Sequence, residues 1–328
     1  GQEVADMNEL QTTYDARIKD LIVSAVEIAS QCGCAMSIDE LALLLPQGLE
    51  FGNIREILLS SPLISVSSGA EKELVVQKGH EHLFSERAYR NDVSSRYLET
   101  AKTFIDELTR RGSHVKLIGI CGSVAYGSAN ESDDIDILLV TNRHRLWFSI
   151  FRALLLARVF KIKALIKGGK ADFCLSYVQD EEHFEEEIMH HRTPMFAREF
   201  LSIHVLAGIN YYKTFLDRTK WIGQTFPKLY AAKLSERVGD KTSLSDEKPS
   251  RNRIFDALDL FFYVIVRNYL LLKAFSLNLR YRKQRRMKDI FEVIITKGSC
   301  LYNSEKYREL EKRYKPSELL GDESNCLN

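Results

Sequence analysis

The chain has 328 residues, of which 45% are hydrophobic and 28% are charged, which is typical of a globular protein of about two or three domains and not of a disordered chain. The formal net charge is +1, so any binding to nucleic acid has to depend on local patches of charge. No secretory signal pattern precedes the six cysteines, so we expect reduced thiols and a cytoplasmic location.

Residues 14–80 have the order of helices and strands that is typical of a winged helix-turn-helix domain. Ser37 and Glu40 form a capping-box pattern, which predicts the start of the second helix. The third helix carries Arg55 as its only cation, whereas phosphate contacts normally need several, so DNA binding and a protein-contact or scaffolding role both remain open. The predicted helices cover 18–28, 38–45 and 53–60, and the predicted strands cover 63–66 and 73–77 around a wing at Gly69.

A long connecting helix is predicted over residues 81–114, and two apolar strands follow it at 116–120 and 135–140. A loop of small residues separates the two strands and begins with Gly122-Ser123. This turn offers backbone N–H groups and a hydroxyl group, which are the donors that a phosphate group binds. The sequence therefore predicts a phosphate site at the end of the first strand.

Two aspartates, Asp134 and Asp136, lie at the start of the second strand. Alternate side chains of a strand share a face, so the two carboxylates are expected side by side. Neighbouring carboxylates repel each other unless a cation lies between them, and hard oxygen ligands suit Mg²⁺ or Mn²⁺. A phosphate site beside such a pair indicates nucleotidyl transfer. Two alternatives remain. The aspartates lie in a solvated surface loop, or the domain has the fold of a nucleotidyl-transferring protein but no catalytic activity.

This combination resembles the signature of the DNA polymerase β-type nucleotidyltransferase superfamily, and the resemblance extends over roughly residues 95–215. The chain departs from the signature at Asp133, where the family usually has serine, and at Tyr126, a position often filled by arginine. The resemblance implies a palm domain over 115–215 that uses Mg²⁺ or Mn²⁺ and an NTP as donor. The residues at the family spacing are Gly122, Ser123, Gly127, Asp134 and Asp136.

The resemblance also implies a third carboxylate on a neighbouring strand. Asp172 is the candidate, because it lies in a predicted strand over 170–178 that follows a helical stretch at 146–165. In the implied two-metal mechanism, Asp172 binds the catalytic metal together with Asp134 and Asp136 and accepts the proton of the attacking hydroxyl group. The implied nucleotide-binding residues are Gly122, Ser123, Gly127 and Ser128.

The C-terminal region, 216–316, is predicted to be helical, and the last residues, 317–328, are predicted to be a flexible tail. Its most apolar run, 254–277, contains several charged residues, so we expect a buried bundle helix, no membrane span and no membrane partner. The predicted fold class is therefore α+β, with a polymerase β-like palm between an N-terminal winged helix and a C-terminal helical region. Oligomeric state is not predicted.

A basic cluster follows the apolar run 254–277. It either binds along a polynucleotide backbone or forms a solvated helix surface. An RNA 3′ end is the first candidate acceptor, and a small molecule, a protein hydroxyl, cyclic oligonucleotide synthesis and a non-catalytic nucleotide-sensing or nucleic-acid-binding regulator are the alternatives. In the helix before this region, Tyr211 or Tyr212 stacks on the incoming base or belongs to the core. The basic cluster comprises Arg280, Arg282, Lys283, Arg285 and Arg286.

Overall fold

The structure is a computed structural model that describes residues 2–49, 51–67, 72–110, 114–236 and 253–314. Its N-terminal part contains the helices α1 (Gln2–Gln31), α2 (Ile38–Leu43) and α3 (Phe51–Ser60) and the strands β1 (Met36–Ser37), β2 (Ile64–Val66) and β3 (Leu74–Gln77). Antiparallel pairing gives the strand order β1-β3-β2. The elements follow the predicted order, the loop at Gly69 lies outside the described residues, and the winged helix-turn-helix assignment remains a prediction.

The N-terminal part is held together by an apolar helix face and by a capped turn. The predicted capping box is confirmed, since Glu40 N donates to Ser37 Oγ at 3.1 Å and Ser37 N donates to Glu40 Oε2 at 2.7 Å. These two bonds satisfy N–H groups that the start of α2 would otherwise leave without a partner. The buried residues of α1 recur at helical spacing, and they include Ile18, Leu21, Ile22, Ala25 and Val26.

The central sheet of the molecule is mixed and has six strands. The strands are β4 (Val115–Ile120), β5 (Ile135–Thr141), β6 (Phe173–Asp180), β7 (His204–Ala207), β8 (Phe291–Ile295) and β9 (Ser299–Ser304). Their order is β7-β4-β5-β6-β9-β8, with β5 and β6 parallel and the other neighbours antiparallel. The protein is therefore a mixed α/β protein.

Two long helices cover one face of this sheet. They are α4 (His82–Thr109), at the place of the predicted connecting helix, and α6 (Leu146–Ile166), which crosses from β5 to β6 as a parallel strand pair requires. Phe104 of α4 stacks on Phe173 of β6 with ring centroids 4.2 Å apart and contacts Phe160 of α6 edge to face. This aromatic cluster fixes both helices above the strands that carry the predicted aspartates.

Five shorter helices lie in a second layer that shares its apolar core with the N-terminal part. Tyr212 is buried in this core, and its hydroxyl donates to Phe200 O at 2.8 Å. Tyr212 therefore belongs to the core, which was one of its two predicted roles. Tyr211 is partly buried beside the Lys116 ammonium group. The helices are α7 (Glu181–His190), α8 (Pro194–Ser202), α9 (Ile209–Arg218), α10 (Lys220–Thr225) and α11 (Pro227–Ser235).

The prediction of an all-helical region over 216–316 is wrong, because β8 and β9 form a hairpin between α12 (Arg253–Lys283) and α13 (Glu305–Arg313). Strand β9 pairs antiparallel with β6, and Val178 lies opposite Cys300. The pairing satisfies backbone groups of β6 that would otherwise form an open edge of the sheet. The sheet is thus completed by a segment beyond residue 215, where the predicted palm ended.

The prediction of a buried bundle helix over 254–277 is also wrong. Helix α12 buries Val266, Leu270 and Ala274, while most of its other apolar residues are exposed. Within the part of the chain that the structure describes, α12 is long and apolar enough to cross a membrane by length and composition, and 17% of its most apolar window is buried. The expectation that the charged residues of this run exclude a membrane is therefore not supported, because the apolar surface of α12 is exposed.

Candidate active site

A cleft of about 1290 Å³ opens between the central sheet, the end of α1 and the segment from α12 to α13. The predicted site residues that line the cleft are Gly122, Ser123, Asp134, Asp136 and Arg286. The predicted site residues outside its lining are Gly127, Ser128, Asp172, Arg280, Arg282, Lys283 and Arg285. The structure therefore brings the glycine–serine turn and the carboxylate pair together, and it places most of the basic cluster elsewhere.

The turn after β4 brings the backbone close to Asp136. Gly122 begins the short helix α5 (Gly122–Ala125) with a φ of 63°, and a Cβ atom at this position would lie 2.8 Å from Asp136 Oδ2. The left-handed backbone and the close approach both require glycine. Ser123 follows directly and lines the cleft. The turn and the Asp136 carboxylate therefore form one continuous wall.

Gly127 and Ser128 lie outside the cleft lining and stabilise the turn. Gly127 has a φ of 64°, and a Cβ atom there would lie 2.9 Å from Asn91 Oδ1 on α4. The backbone N–H and the Oγ hydroxyl of Ser128 both donate to Ser123 O, at 2.8 and 3.3 Å. Arg90 Nη1 in turn donates to Ser128 O at 3.0 Å. These contacts fix the shape of the loop, and direct contact of Gly127 and Ser128 with a nucleotide remains a prediction.

Asp134 directly precedes β5 and is exposed, whereas Asp136 is the second residue of β5 and is half-buried. Burial, together with the charge of Asp134, raises the pKa of the Asp136 carboxyl to about 7. Hydrogen bonds from the Cys174 and Ser176 side chains on β6 act in the opposite direction. The two carboxylates supply hard oxygen ligands and repel each other, so the donor set fits a hard divalent ion.

Asp172 lies directly before β6, next to the carboxylate pair in the sheet, where its carbonyl accepts from Ile135 N at 2.8 Å. Its carboxylate is bound by Lys161 Nζ at 2.6 Å and lies 3.6 Å from Lys170 Nζ. Lys170 Nζ is also 3.4 Å from Asp134 Oδ1, so an ammonium group bridges the two carboxylates. Among the described residues no three His, Cys, Asp or Glu side chains are grouped to hold a metal. Metal binding by Asp172 remains a prediction.

Tyr126, which stands where the family often has arginine, attaches the loop to α8. Its hydroxyl donates to Glu199 Oε1 at 2.9 Å, and Glu199 lines the cleft. Burial raises the pKa of the Glu199 carboxyl, although the Tyr126 hydrogen bond and the Arg198 charge lower it. The Arg198 guanidinium is buried between the rings of Tyr126 and Tyr314, with its Cζ 5.7 Å from each ring centroid. Tyr126, which departs from the family signature, therefore has a structural role, because it attaches the loop to α8.

Several cations of the cleft lie outside the motif and could not be predicted from it. Lys273 of α12, Lys306 of α13 and Arg90 of α4 line it together with Arg286. These residues come from segments far apart along the chain, so no local pattern connects them with the Gly122-Ser123 turn. Ser176 was also missed, although a small polar residue between Leu175 and Tyr177 in a strand was a detectable signal.

These features define a mixed α/β protein whose carboxylate pair faces a glycine–serine turn. Residues 101–204 match the family model of the nucleotidyltransferase domain. The chain therefore carries a nucleotidyltransferase domain of the polymerase β-like superfamily, as the motif predicted, and this domain indicates NMP transfer in general. The match runs from α4 to the start of β7 and includes Asp134, Asp136 and Asp172. No curated protein and no solved structure matches the chain.

Proposed function

We propose that the protein is a metal-dependent nucleotidyltransferase that moves an NMP from an NTP to an acceptor hydroxyl group. The observation that carries this proposal is the pair Asp134 and Asp136, placed in the cleft wall against Gly122. In the reaction the acceptor oxygen bonds to the α-phosphorus, the bond from the α-phosphorus to the bridging oxygen breaks, and pyrophosphate leaves. The acceptor proton passes to a carboxylate, for which Asp172 is the proposed residue.

Asp134, Asp136 and Asp172 are the residues that would hold Mg²⁺ or Mn²⁺. When bound, such an ion neutralises phosphate charge and lowers the pKa of the acceptor hydroxyl group. Burial and, after it, the charge of Asp134 raise the pKa of Asp136, and a cation between the two carboxylates would offset the repulsion between them. Asp172 contributes to the site once Lys161 and Lys170 release its carboxylate.

The triphosphate is proposed to bind at the Gly122-Ser123 turn. The Ser123 hydroxyl and the backbone N–H groups of the turn supply hydrogen-bond donors there. Lys273 and Lys306 line the same cleft and add positive charge from the C-terminal segment. Phosphoryl transfer depends mainly on positioning and charge stabilisation, so these groups account for the donor half of the reaction.

An RNA 3′ end is the proposed acceptor. The exposed basic cluster at the end of α12 supports it, because Arg286 of this cluster reaches the cleft. The N-terminal part, which we propose is a winged helix, also reaches the cleft through Gln31, Cys32 and Gly33. An RNA 3′ end bound in the cleft would therefore contact both the basic cluster and the N-terminal part. Small-molecule and protein acceptors are distinguished from RNA by the experiment below.

A second candidate function is non-catalytic nucleotide sensing. The observation that favours it is the pairing of Asp172 with Lys161 and Lys170, which neutralises the proposed third ligand. A sensor would bind an NTP in this state without transferring it. The two functions differ in whether Asp134 and Asp136 are needed for turnover or only for binding.

The experiment is incubation with each NTP carrying a radioactive α-phosphate, with Mg²⁺ or Mn²⁺ and total cellular RNA. Wild type is compared with Asp134→Ala/Asp136→Ala and with the control Glu131→Ala, an exposed acid of the same loop. Label in RNA with wild type and the control, but not with the double variant, is the expected result.

Two other outcomes redirect the proposal. Label that enters lysate small molecules or proteins, but not RNA, keeps nucleotidyl transfer and rejects the RNA acceptor. NTP binding without label in any fraction, under conditions where the protein is folded, rejects transfer and favours the sensor.

A further inference from the structure

Helices α6 and α12 lie side by side on the outside of the protein. Phe151 of α6 stacks on Phe262 of α12 with ring centroids 4.2 Å apart. Seven residues further along each helix, Arg158 Cζ lies 5.6 Å from the centroid of the Tyr269 ring. The contacts advance equally on both helices, so the helices run in the same direction and present a common outer surface.

This surface, the α6–α12 face, is strongly apolar although it is exposed. Ile166 is 80% exposed, Leu272 is 70% exposed and Phe275 is 66% exposed. Soluble monomers rarely leave such a large contiguous apolar area in contact with water. The exposed apolar residues of the face are Leu155, Val159, Ile162, Leu165 and Ile166 of α6 and Leu260, Phe261, Val264, Ile265, Leu271, Leu272, Phe275 and Leu279 of α12.

Over most of their length, helices α6 and α12 carry positive charges and no negative ones. The sequence contains no Asp or Glu over residues 146–171 or over 260–288, although the whole chain has a net charge of only +1. Lys161 and Lys170 are paired with Asp172, and Lys273 and Arg286 line the cleft. The exposed cations of the two helices include Arg158, Lys163, Lys167 and Arg267. The cations in these two stretches are Arg152, Arg158, Lys161, Lys163, Lys167 and Lys170, followed by Arg267, Lys273, Arg280, Arg282, Lys283, Arg285, Arg286 and Lys288.

We propose that the α6–α12 face docks on the surface of an anionic lipid bilayer. The two helices combine exposed aliphatic and aromatic side chains with exposed Lys and Arg side chains, and these two kinds of group suit the acyl chains and the anionic head groups of such a surface. The apolar side chains enter the boundary between head groups and acyl chains, and the cations meet the anionic head groups. This inference concerns where the protein binds and does not depend on the proposed reaction.

Charge and composition disfavour two other occupants of the face. A second copy related by a twofold axis would bring the two sets of exposed cations together, which costs free energy through repulsion between like charges. A polynucleotide would match the cations, but Leu, Ile and Val side chains offer it neither stacking nor hydrogen bonds.

The contacts of α12 favour docking on the surface over crossing of the bilayer. Asp259 Oδ1 accepts from Phe148 N at 2.9 Å near the start of α12. Near its end, Asn278 Nδ2 donates to Phe291 O at 2.7 Å and Asn278 Oδ1 accepts from Phe291 N at 3.2 Å. A helix that left the domain to span a bilayer would lose these bonds, so α12 is expected to lie along the membrane.

The first test measures co-sedimentation of the full chain with vesicles of phosphatidylcholine alone and of an equimolar mixture of phosphatidylcholine and phosphatidylserine. Wild type is expected to bind the mixed vesicles and to be released by high salt. Leu272→Ser/Phe275→Ser is expected to lower the partition coefficient about tenfold or more, because both side chains lose their apolar contact. The control is Leu59→Ser/Leu63→Ser, which removes two exposed leucines elsewhere and should bind as wild type does.

A second pair of variants tests the charges. Lys163→Glu/Lys167→Glu reverses two cations of the face and is expected to weaken binding to the mixed vesicles at low salt. Lys72→Glu/Lys78→Glu makes the same change to net charge on two exposed lysines of the N-terminal part and should have a smaller effect. Equal losses in both variants would show a response to net charge and would overturn the assignment to this face.

Other outcomes also overturn the proposal. A folded wild type that binds neither kind of vesicle rejects membrane docking. A dimer in analytical ultracentrifugation that Leu272→Ser/Phe275→Ser dissociates, without vesicle binding, identifies a second copy as the occupant. Protein that stays with the vesicles after high-salt and alkaline washes rejects surface docking and indicates insertion.

Discussion

At the scale of single residues, the candidate site depends on how closely the turn approaches Asp136. Gly122 has the left-handed backbone, and its missing side chain leaves room for the Asp136 carboxylate. The same carboxylate is held by Cys174 and Ser176 from β6. The position of Asp136 is therefore set by the turn on one side and by a parallel strand on the other.

Gly122→Ala is expected to abolish nucleotidyl transfer, because the new Cβ atom lies 2.8 Å from Asp136 Oδ2 and displaces it. The left-handed backbone adds a cost of about 1–2 kcal/mol to the free energy of folding. Gly168→Ala is the matched control, since Gly168 also has a left-handed backbone, with a φ of 72°, but no atom within 4 Å. Both variants should lose stability in urea unfolding, and only Gly122→Ala should lose activity. Full activity of a folded Gly122→Ala protein would contradict the proposed role of this approach.

His191 links α7 to α13 and gives the protein a pH-dependent stability. Its Nδ1 lies 2.8 Å from Glu187 Oε1 and its Nε2 lies 2.7 Å from Glu311 Oε1. Hydrogen bonds to these two carboxylates raise the pKa of His191 from 6.5 to about 9. A raised pKa means that the folded state holds the proton more tightly, so the stabilisation is complete below pH 6.5 and disappears as the pH rises through about 9.

His191→Gln is therefore expected to lower the free energy of unfolding below about pH 6.5 and to differ little from wild type above about pH 9. Urea unfolding across this range measures the difference. The exposed neighbour His190 supplies the control, and His190→Gln should retain the pH profile of wild type. A deficit of His191→Gln that is the same at every pH would show that the imidazolium charge contributes nothing.

The sequence revealed the residues that form one contiguous motif and missed those that only folding brings together. Asp134 and Asp136 were found because their carboxylates interrupt an apolar strand next to a glycine–serine turn. The bridge from Lys170 to Asp134 and Asp172 depends on the pairing of β5 with β6, and the approach of Lys273 depends on how α12 packs. Neither has a local signature.

At the scale of elements, the β8–β9 hairpin completes the central sheet. The Gly298 carbonyl accepts from Asp180 N at 2.9 Å, which joins the hairpin turn to the end of β6. The hairpin was missed because its partner strand lies far away in the sequence. In contrast, α4, α6 and the start of α2 were predicted correctly, since helical spacing and a capping box are local signals.

Gly298→Ala tests this attachment. A Cβ atom at Gly298 would collide with His183 Nδ1 and would lie 2.7 Å from Asp180 Oδ2, so the turn has to move away from β6. We expect a loss of about 1–3 kcal/mol in the free energy of unfolding, as for other overpacked sites. Gly52→Ala in α3 meets no atom within 4 Å and should be neutral or stabilising. Equal stability of the two variants would contradict the packing of the turn.

At the scale of the whole molecule, the N-terminal part and the nucleotidyltransferase domain share one apolar core. Buried residues of α1, such as Leu21 and Val26, belong to the same cluster as Leu138 of the sheet and Phe200 of α8. The cleft is likewise formed by several parts of the chain, because α1, the sheet and α12 all contribute to its lining. The matched segment, 101–204, thus contains the carboxylates but only part of the cleft.

A shared core predicts that the described parts unfold together. Thermal unfolding followed by circular dichroism and by tryptophan fluorescence should give one transition, because Trp147 and Trp221 lie on opposite sides of the sheet. Removal of residues 1–80 should expose the core and yield an aggregating protein. A soluble truncated chain with an unchanged transition temperature would show that the N-terminal part is an independent domain.

The most direct test of the central claim is pyrophosphate release from each NTP, with Mg²⁺ and a cell lysate as the source of acceptors. Wild type and Glu131→Ala should release pyrophosphate, whereas Asp136→Asn, which keeps the shape of the side chain but removes its charge, should lower the rate by about 10³-fold or more. Equal rates for wild type and a folded Asp136→Asn protein would contradict catalysis by the Asp134–Asp136 pair.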